Sequence, residues 1–525
     1  MKLNKNKWLI LLLAGVIISC ESDDDNIVIE EEVVYTSGSA DFSNYVALGN
    51  SLTAGYTDGA LFKAGQQNSV ANILAQQFAL ADGGEFTQPL MNDNIGGLLL
   101  NGTPIQETRL YFNGSGPVRL AAAPTTEVTN KLTGPFNNMG VPGAKSFHLG
   151  FPGYGNVQGV ATGQANPYFV RFASSPNATV IGDAISQQPT FFSLWIGNND
   201  VLAYATSGGV GTNQLGNDNP ETYGGNDITD PDYFEEVYSA LVAGLVATGA
   251  DGVVANIPDV TTIPYFTTVP HNPLSPANEE FEPLIPTLNQ TFAGLNQVFQ
   301  ALGVPERSIV FSTTAASPVV IKDENLPNLG AQIAGALTQG GLDAPTAQLF
   351  GMLYGQARPA TADDLLVLPS SSIIAKVNTA AFEMLVGMNV PQQTAGQLAV
   401  NGITFPLEDK WVLTPSEQAE VLTATTAFNQ TIRAVAEEHQ LAFVDVNAIM
   451  NEVATAQGGV SFDEYFLNAR LVFGGAFSLD GVHPTARGNA YIANKFIEAI
   501  NAKYGSNLPP VKAAGYTTLF PASLQ

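Results

Sequence analysis

From Asn44 onward, short runs of consecutive apolar residues alternate with longer stretches that have helical spacing. Tyr45 to Leu48 is apolar throughout and too short for a helix, so it reads as a strand buried on both faces. Ser69 to Phe78 reads as the helix after it. The unit then recurs. A helical stretch through Val180, Ile181 and Ile185 leads into a strand at Thr190 to Ile196, and Tyr233 to Leu245 leads into one at Gly252 to Ile257. The best-marked helix precedes a strand at Leu441 to Val446: Thr414 can N-cap it, Pro415 suits its first turn, Glu417 completes a capping box, and Val421, Phe428, Ile432 and Val435 share one face. A last helix starts near Thr485, with Ile492, Phe496 and Ile500 at spacing four. Strands alternating with helices predict a parallel sheet, and amphipathic helices are available for both of its faces.

Three Gly-, Asn- and Pro-rich segments, near 83–138, 208–230 and 305–405, exceed what a minimal α/β core needs. Loops of that size usually carry function or local structure of their own. Length alone suggests about three domains. One enlarged domain over 41–505 fits better, with 506–525 as a C-terminal extension, because the candidate chemistry described below joins residues near both ends of that span.

The N-terminus breaks the pattern. Lys2, Lys5 and Lys7 precede the apolar run Trp8 to Ile18, which is shorter than the about 20 residues that span a bilayer. A basic start, a short apolar run and a small residue describe a secretory signal peptide over 1–19. Ile17-Ile18-Ser19-Cys20 also resembles the bacterial lipobox, which implies cleavage before Cys20, acylation of that cysteine, and a membrane partner through the lipid anchor. Several acyl chains would hold the protein firmly; a soluble signal peptide with an incidental cysteine is the other reading. The acidic stretch that follows, with Asp23-Asp24-Asp25 and Glu30-Glu31-Glu32, is too polar to fold and reads as a tether over 20–40. Acidic runs at this place resemble surface-export signals of some Gram-negative lipoproteins. The location expected is thus the bacterial cell envelope, at the outer membrane, on either its surface or its periplasmic face.

Cys20 is the sole cysteine, so no internal disulfide, thiol nucleophile or thiolate metal site is available. His148, His271, His439 and His483 share no metal-binding spacing, and no metal or cofactor is expected. The formal charge is -27, and cleavage before Cys20 would bring it to -30. No basic stripe offsets it, which argues against nucleic acid as a partner.

Four segments carry candidate chemistry. Gly49-Asn50-Ser51-Leu52 ends the first strand in a turn that can project Ser51 beyond the sheet's carboxyl edge. Ser478-Leu479-Asp480-Gly481-Val482-His483-Pro484 precedes the last helix, and its spacing lets Asp480 hold the imidazole Nδ1 proton while Nε2 serves as a base for a serine. Gly197-Asn198-Asn199-Asp200 closes the second strand and offers the Asn199 amide to a developing oxyanion. Asn137-Asn138-Met139-Gly140-Val141-Pro142-Gly143-Ala144 reads as a glycine turn able to aim a backbone N–H into the same space. Each alone has an ordinary explanation in turns and caps.

In this order, the four resemble the sequence blocks of SGNH hydrolases, the GDSL-like esterases and lipases, across nearly the whole chain after Cys20. The resemblance implies a three-layer α/β/α sandwich of flavodoxin-like topology. It also implies a serine esterase with Ser51 as nucleophile, Asp480 and His483 completing its triad, and an oxyanion hole from Ser51 N–H, Gly143 N–H and Asn199. Asn50 stands where the family usually has Asp, and Gly140 competes with Gly143 for the oxyanion role. No Gly-x-Ser-x-Gly elbow is present, which argues against an ordinary α/β-hydrolase. A small-molecule, lipid or acylated-glycan ester is the expected substrate. His439 reads as a helix-end cation, and His148 as a candidate wall residue. Since fold does not fix function, a non-catalytic glycan- or lipid-binding lipoprotein on this scaffold is the alternative.

Overall fold

The computed structural model describes residues 33–524; the N-terminal apolar run, Cys20 and most of the acidic stretch lie outside them. Strands β1 (Tyr45–Gly49), β2 (Asn138–Gly140), β3 (Phe191–Trp195), β4 (Asp251–Ala255) and β5 (Ala442–Val444) form one sheet in the order β5-β4-β3-β1-β2. All four pairings are parallel. Every residue of β1 and β3 is buried, as a parallel sheet covered on both faces requires. This is the flavodoxin-like order. The chain passes from β1 outward to β2, then returns to place β3 on the other side of β1. Between β1 and β3 the direction of winding reverses, and a crevice opens there beyond the strands' carboxyl ends.

Four of the five strands follow from apolar runs. β2 corrects the sequence reading, which takes 137–144 as a turn throughout. Asn, Met and Gly carry no strand preference; the pairing is imposed by β1, whose Ala47 N–H donates to Asn137 O at 2.8 Å while the Asn137 amide donates to Tyr45 O at 2.9 Å. Gly140 is required by close approach, because a Cβ there would lie 2.4 Å from the backbone nitrogen of Ala54. The short helix α1 (Ser51–Ala54) thereby lies directly against the edge strand.

Helix α2 (Val70–Phe78) packs with the C-terminal helix, Ala486–Tyr504, on one face of the sheet. On the other, α3 (Asn199–Thr206) and α4 (Pro231–Val246) pack with the long helix Pro415–Glu438. These are the outer layers of a three-layer sandwich. The long helix starts at the expected capping box, with Thr414 N–H donating to the Glu417 carboxylate at 2.6 Å. It is aligned with α4 by the stacked rings of Phe234 and Phe428, 4.2 Å apart.

Between β4 and β5 the chain builds a second core of its own, containing Phe292, Leu295, Phe299, Ile321, Tyr354 and Leu407. Helices α5 (Ile285–Ala301), α6 (Gly330–Gln339) and α7 (Ala344–Tyr354) surround it. The expected 305–405 insertion lies inside this body. Arg307 is buried there and donates to the carbonyls of Ala357, Tyr354, Gly355 and Pro327, which replace its water. The 83–138 segment forms two small antiparallel ribbons and a satellite core around Met91, Leu98 and Val128. Its buried Arg109 donates to Pro521 O at 2.6 Å and so pins the C-terminal residues. No helix among the described residues is long and apolar enough to cross a membrane.

Where the second core meets the start of the long helix, carboxylate oxygens of Glu324, Asp409 and Glu417 lie within 4.8 Å of one another. Burial, then the neighbouring Glu324, pushes Asp409 above the ordinary carboxylate range. Glu417 is pushed up by burial as well, against the pull of its bonds to Thr414. Acids raised on folding bind more protons folded than unfolded. Their stabilisation is complete below the ordinary values, 3.8 and 4.5, and is lost as pH rises through the raised ones. Thermal unfolding should therefore show stability falling as pH is raised from that range past neutrality. Glu324→Gln, which removes an exposed like charge, should flatten the fall; an identical pH profile in that variant would refute the assignment.

Candidate active site

The strand register sets the site. Gly49 of β1 pairs with Gly140 of β2 on one side and Trp195 of β3 on the other, so three strands end level. The residues just beyond those ends, at 50–51, 141–143 and 197–199, therefore share the mouth of the crevice.

Ser51 opens α1 and is 7% exposed. Asn50 caps that helix: its Oδ1 accepts the Leu52 N–H at 3.0 Å while its Nδ2 donates to Asn198 Oδ1, also at 3.0 Å. A carboxylate could do the first but not the second. Asn at this position ties the turn bearing Ser51 to the end of β3.

Asp480 and His483 arrive on the loop before the C-terminal helix, which a bridge between Phe477 and Pro484 closes. His483 Nε2 is 2.9 Å from Ser51 Oγ, and its Nδ1 is 2.9 Å from Asp480 Oδ2. The other Asp480 oxygen accepts the Ser478 hydroxyl at 3.0 Å and the N–H groups of Val482 and His483 at 2.9 Å each. Gly59 N–H donates to Oδ2 at 2.9 Å. Burial works to raise the Asp480 pKa, but His483 and these donors outweigh it and hold the carboxyl well below its usual range. An ionised carboxylate at Nδ1 keeps that proton in place and leaves Nε2 as the basic nitrogen facing the hydroxyl. The Tyr56 ring packs on the imidazole with centroids 4.7 Å apart.

Ser51 N–H and Gly143 N–H have no hydrogen-bond partner among the described residues. Gly143 is exposed at φ +82°, a conformation that favours glycine. Gly140 N–H is already given to Asn138 Oδ1 at 2.9 Å, which leaves Gly143 as the available donor of the two. Asn199 donates one amide hydrogen to Ala144 O at 2.9 Å, next to Gly143, and keeps the other. Asp200 is buried and accepts Ser146 N–H, the Ser146 hydroxyl and the Thr229 hydroxyl, each at 2.8 Å, so it braces α3 against the loop after Gly143.

His148 is not in the pocket wall. Its Nδ1 accepts the Lys145 N–H at 3.0 Å and its ring stacks on Tyr154, while burial and then the Lys145 charge push its pKa down to about 3, so it is a neutral structural group. His439 caps the end of the long helix.

Beneath Ser51 and His483 runs a narrow pocket with a free volume of about 50 Å³. Its walls are apolar, from Trp195, Leu202, Val260, Ile263, Met450 and Ile492. The three-carboxylate group Glu324, Asp409 and Glu417 shares no residue with this pocket. Sequence reasoning missed Asn50 as a bridge, Asp200 as a brace and the turn around Gly59. Only Asn50 left a signal, as a departure from the usual Asp; the others show only through contacts distant in the chain.

The chain matches no family model and no curated protein. Among solved structures it is similar to LAE5, an α/β-hydrolase enzyme from the metagenome of Lake Arreo, Spain, at 11% identity and a TM-score of 0.31, over 88% of this chain and 96% of that one. At that distance the chemistry rests on the site itself.

Proposed function

We propose that the protein is a serine hydrolase of the SGNH type that cleaves carboxylic esters through an acyl-enzyme on Ser51. The observation that carries this reading is the continuous contact Ser51–His483–Asp480, at 2.9 Å for each step, with Ser51 N–H and Gly143 N–H lacking a partner among the described residues. Ser51 Oγ attacks the carbonyl carbon as its proton passes to His483 Nε2. Asp480 holds Nδ1–H and stabilises the imidazolium. The negative charge that develops on the carbonyl oxygen falls to Ser51 N–H, Gly143 N–H and the free amide hydrogen of Asn199. As the intermediate collapses, the alkoxide leaving group takes the proton from Nε2. Water, deprotonated by the same nitrogen, then attacks the acyl-enzyme and frees the acid and Ser51.

The pocket supports an ester whose acyl part is a hydrocarbon chain longer than acetyl, because most of its lining below the serine is hydrocarbon. The Ile17-Ile18-Ser19-Cys20 pattern supports a lipid-anchored protein of the bacterial envelope acting at a membrane surface.

Steady-state hydrolysis of aryl esters tests the roles. Ser51→Ala should abolish turnover, and Asn199→Ala should lower kcat by roughly 10² to 10³, the range for one oxyanion donor. Full activity in either variant would overturn the mechanism. In a chain-length series, butyrate esters should exceed acetate esters in kcat/KM, and Met450→Ala should move the optimum to longer chains. A preference for acetylated polysaccharide would contradict the acyl assignment.

A further inference from the structure

Ser51 and His483 are 432 residues apart in the chain, and their contact needs something to hold it. Six residues after Ser51 the chain makes a tight turn in which Thr57 and Ala60 exchange N–H···O bonds, both 3.1 Å. This turn touches the loop carrying Asp480 and His483 at four places. Thr57 Oγ1 donates to Pro484 O at 2.9 Å, and Asp58 N–H donates to Ser478 Oγ at 3.0 Å. Leu479 N–H donates to Asp58 Oδ1 at 3.0 Å, and Gly59 N–H donates to Asp480 Oδ2 at 2.9 Å. The Ser478 hydroxyl, which accepts Asp58 N–H, donates in turn to Asp480 Oδ1 at 3.0 Å.

We propose that Asp58 is a positioning residue, which clasps the Asp480–His483 loop through Leu479 and keeps Nε2 at bonding distance from Ser51. This rests on the esterase reading of the site. Two features of Asp58 set it apart from an ordinary turn residue. Its φ is +51°, a region that Asp tolerates and most side chains do not. It is also 2% exposed, beside the second carboxylate Asp480. Arg109 on the 83–138 insertion is the cation that acts on it, and Leu479 N–H is the donor that does. Burial, against that bond, pushes its pKa to about 7. A buried acid so placed is a cost to folding that a neutral residue would avoid, and the bond it makes is to the one loop whose placement sets the geometry of the base.

The test compares Asp58→Gly with Asp58→Asn in the full chain. Gly takes φ +51° without strain and removes only the acceptor; Asn keeps both the conformation and an oxygen for Leu479 N–H. With an aryl butyrate as probe, Asp58→Gly should lose about 10- to 100-fold in kcat with KM within about threefold, the mark of misplaced reacting groups. Asp58→Asn should recover kcat to within about threefold of the parent. Proton NMR gives a readout independent of substrate: the downfield Nδ1–H resonance of His483 should persist in the parent and in Asp58→Asn, and broaden or vanish in Asp58→Gly. Parent-like kcat and resonance in Asp58→Gly would overturn the proposal, as would an Asp58→Asn variant as impaired as Asp58→Gly. If the parent hydrolyses no ester, the esterase reading fails, while the resonance still decides the clasp.

Discussion

The level ending of β1, β2 and β3 is the constraint from which the site follows. Gly49 lies between Gly140 and Trp195, and all three loops beyond them are forced into one crevice. Parallel pairing makes this possible, since every carboxyl end then faces the same way. The reversal of winding between β1 and β3 keeps that crevice open, because the connecting helices depart to opposite faces of the sheet. One residue of register slip in β1 would turn its side chains to the wrong faces and carry Ser51 away from the loops beside it.

Around this constraint the polar groups divide their labour. Asn50 joins the end of β1 to the end of β3, and Asp200 joins α3 to the loop after Gly143. Asp480 is surrounded by donors that keep it ionised, although the interior alone would favour its neutral form. Ser51 N–H and Gly143 N–H have no partner among the described residues, and the proposed mechanism gives them the developing oxyanion.

Much of the fold was legible because its signals are local. β1, β3, β4 and β5 are apolar runs, and the long helix announces itself through Thr414, Pro415 and Glu417. β2 was not legible, since Asn138-Met139-Gly140 pairs only because β1 offers it an edge. The 305–405 segment could be marked as excess length, but its core depends on contacts between residues far apart in the chain, such as Phe292 and Tyr354, that no local pattern betrays. In the site, Ser51, Asp480 and His483 stood out through spacing and resemblance, and they do meet. The clasp at Asp58 and the brace at Asp200 are long-range hydrogen bonds, and a single sequence carries no trace of those.

The central claim is that Ser51 is the nucleophile of an acyl-enzyme. Incubating the intact protein with a fluorophosphonate and mapping the adduct by peptide mass spectrometry tests it most directly. The account predicts one covalent adduct, on Ser51, that does not form in His483→Ala. A folded protein that stays unlabelled, or one labelled at another serine, would contradict it.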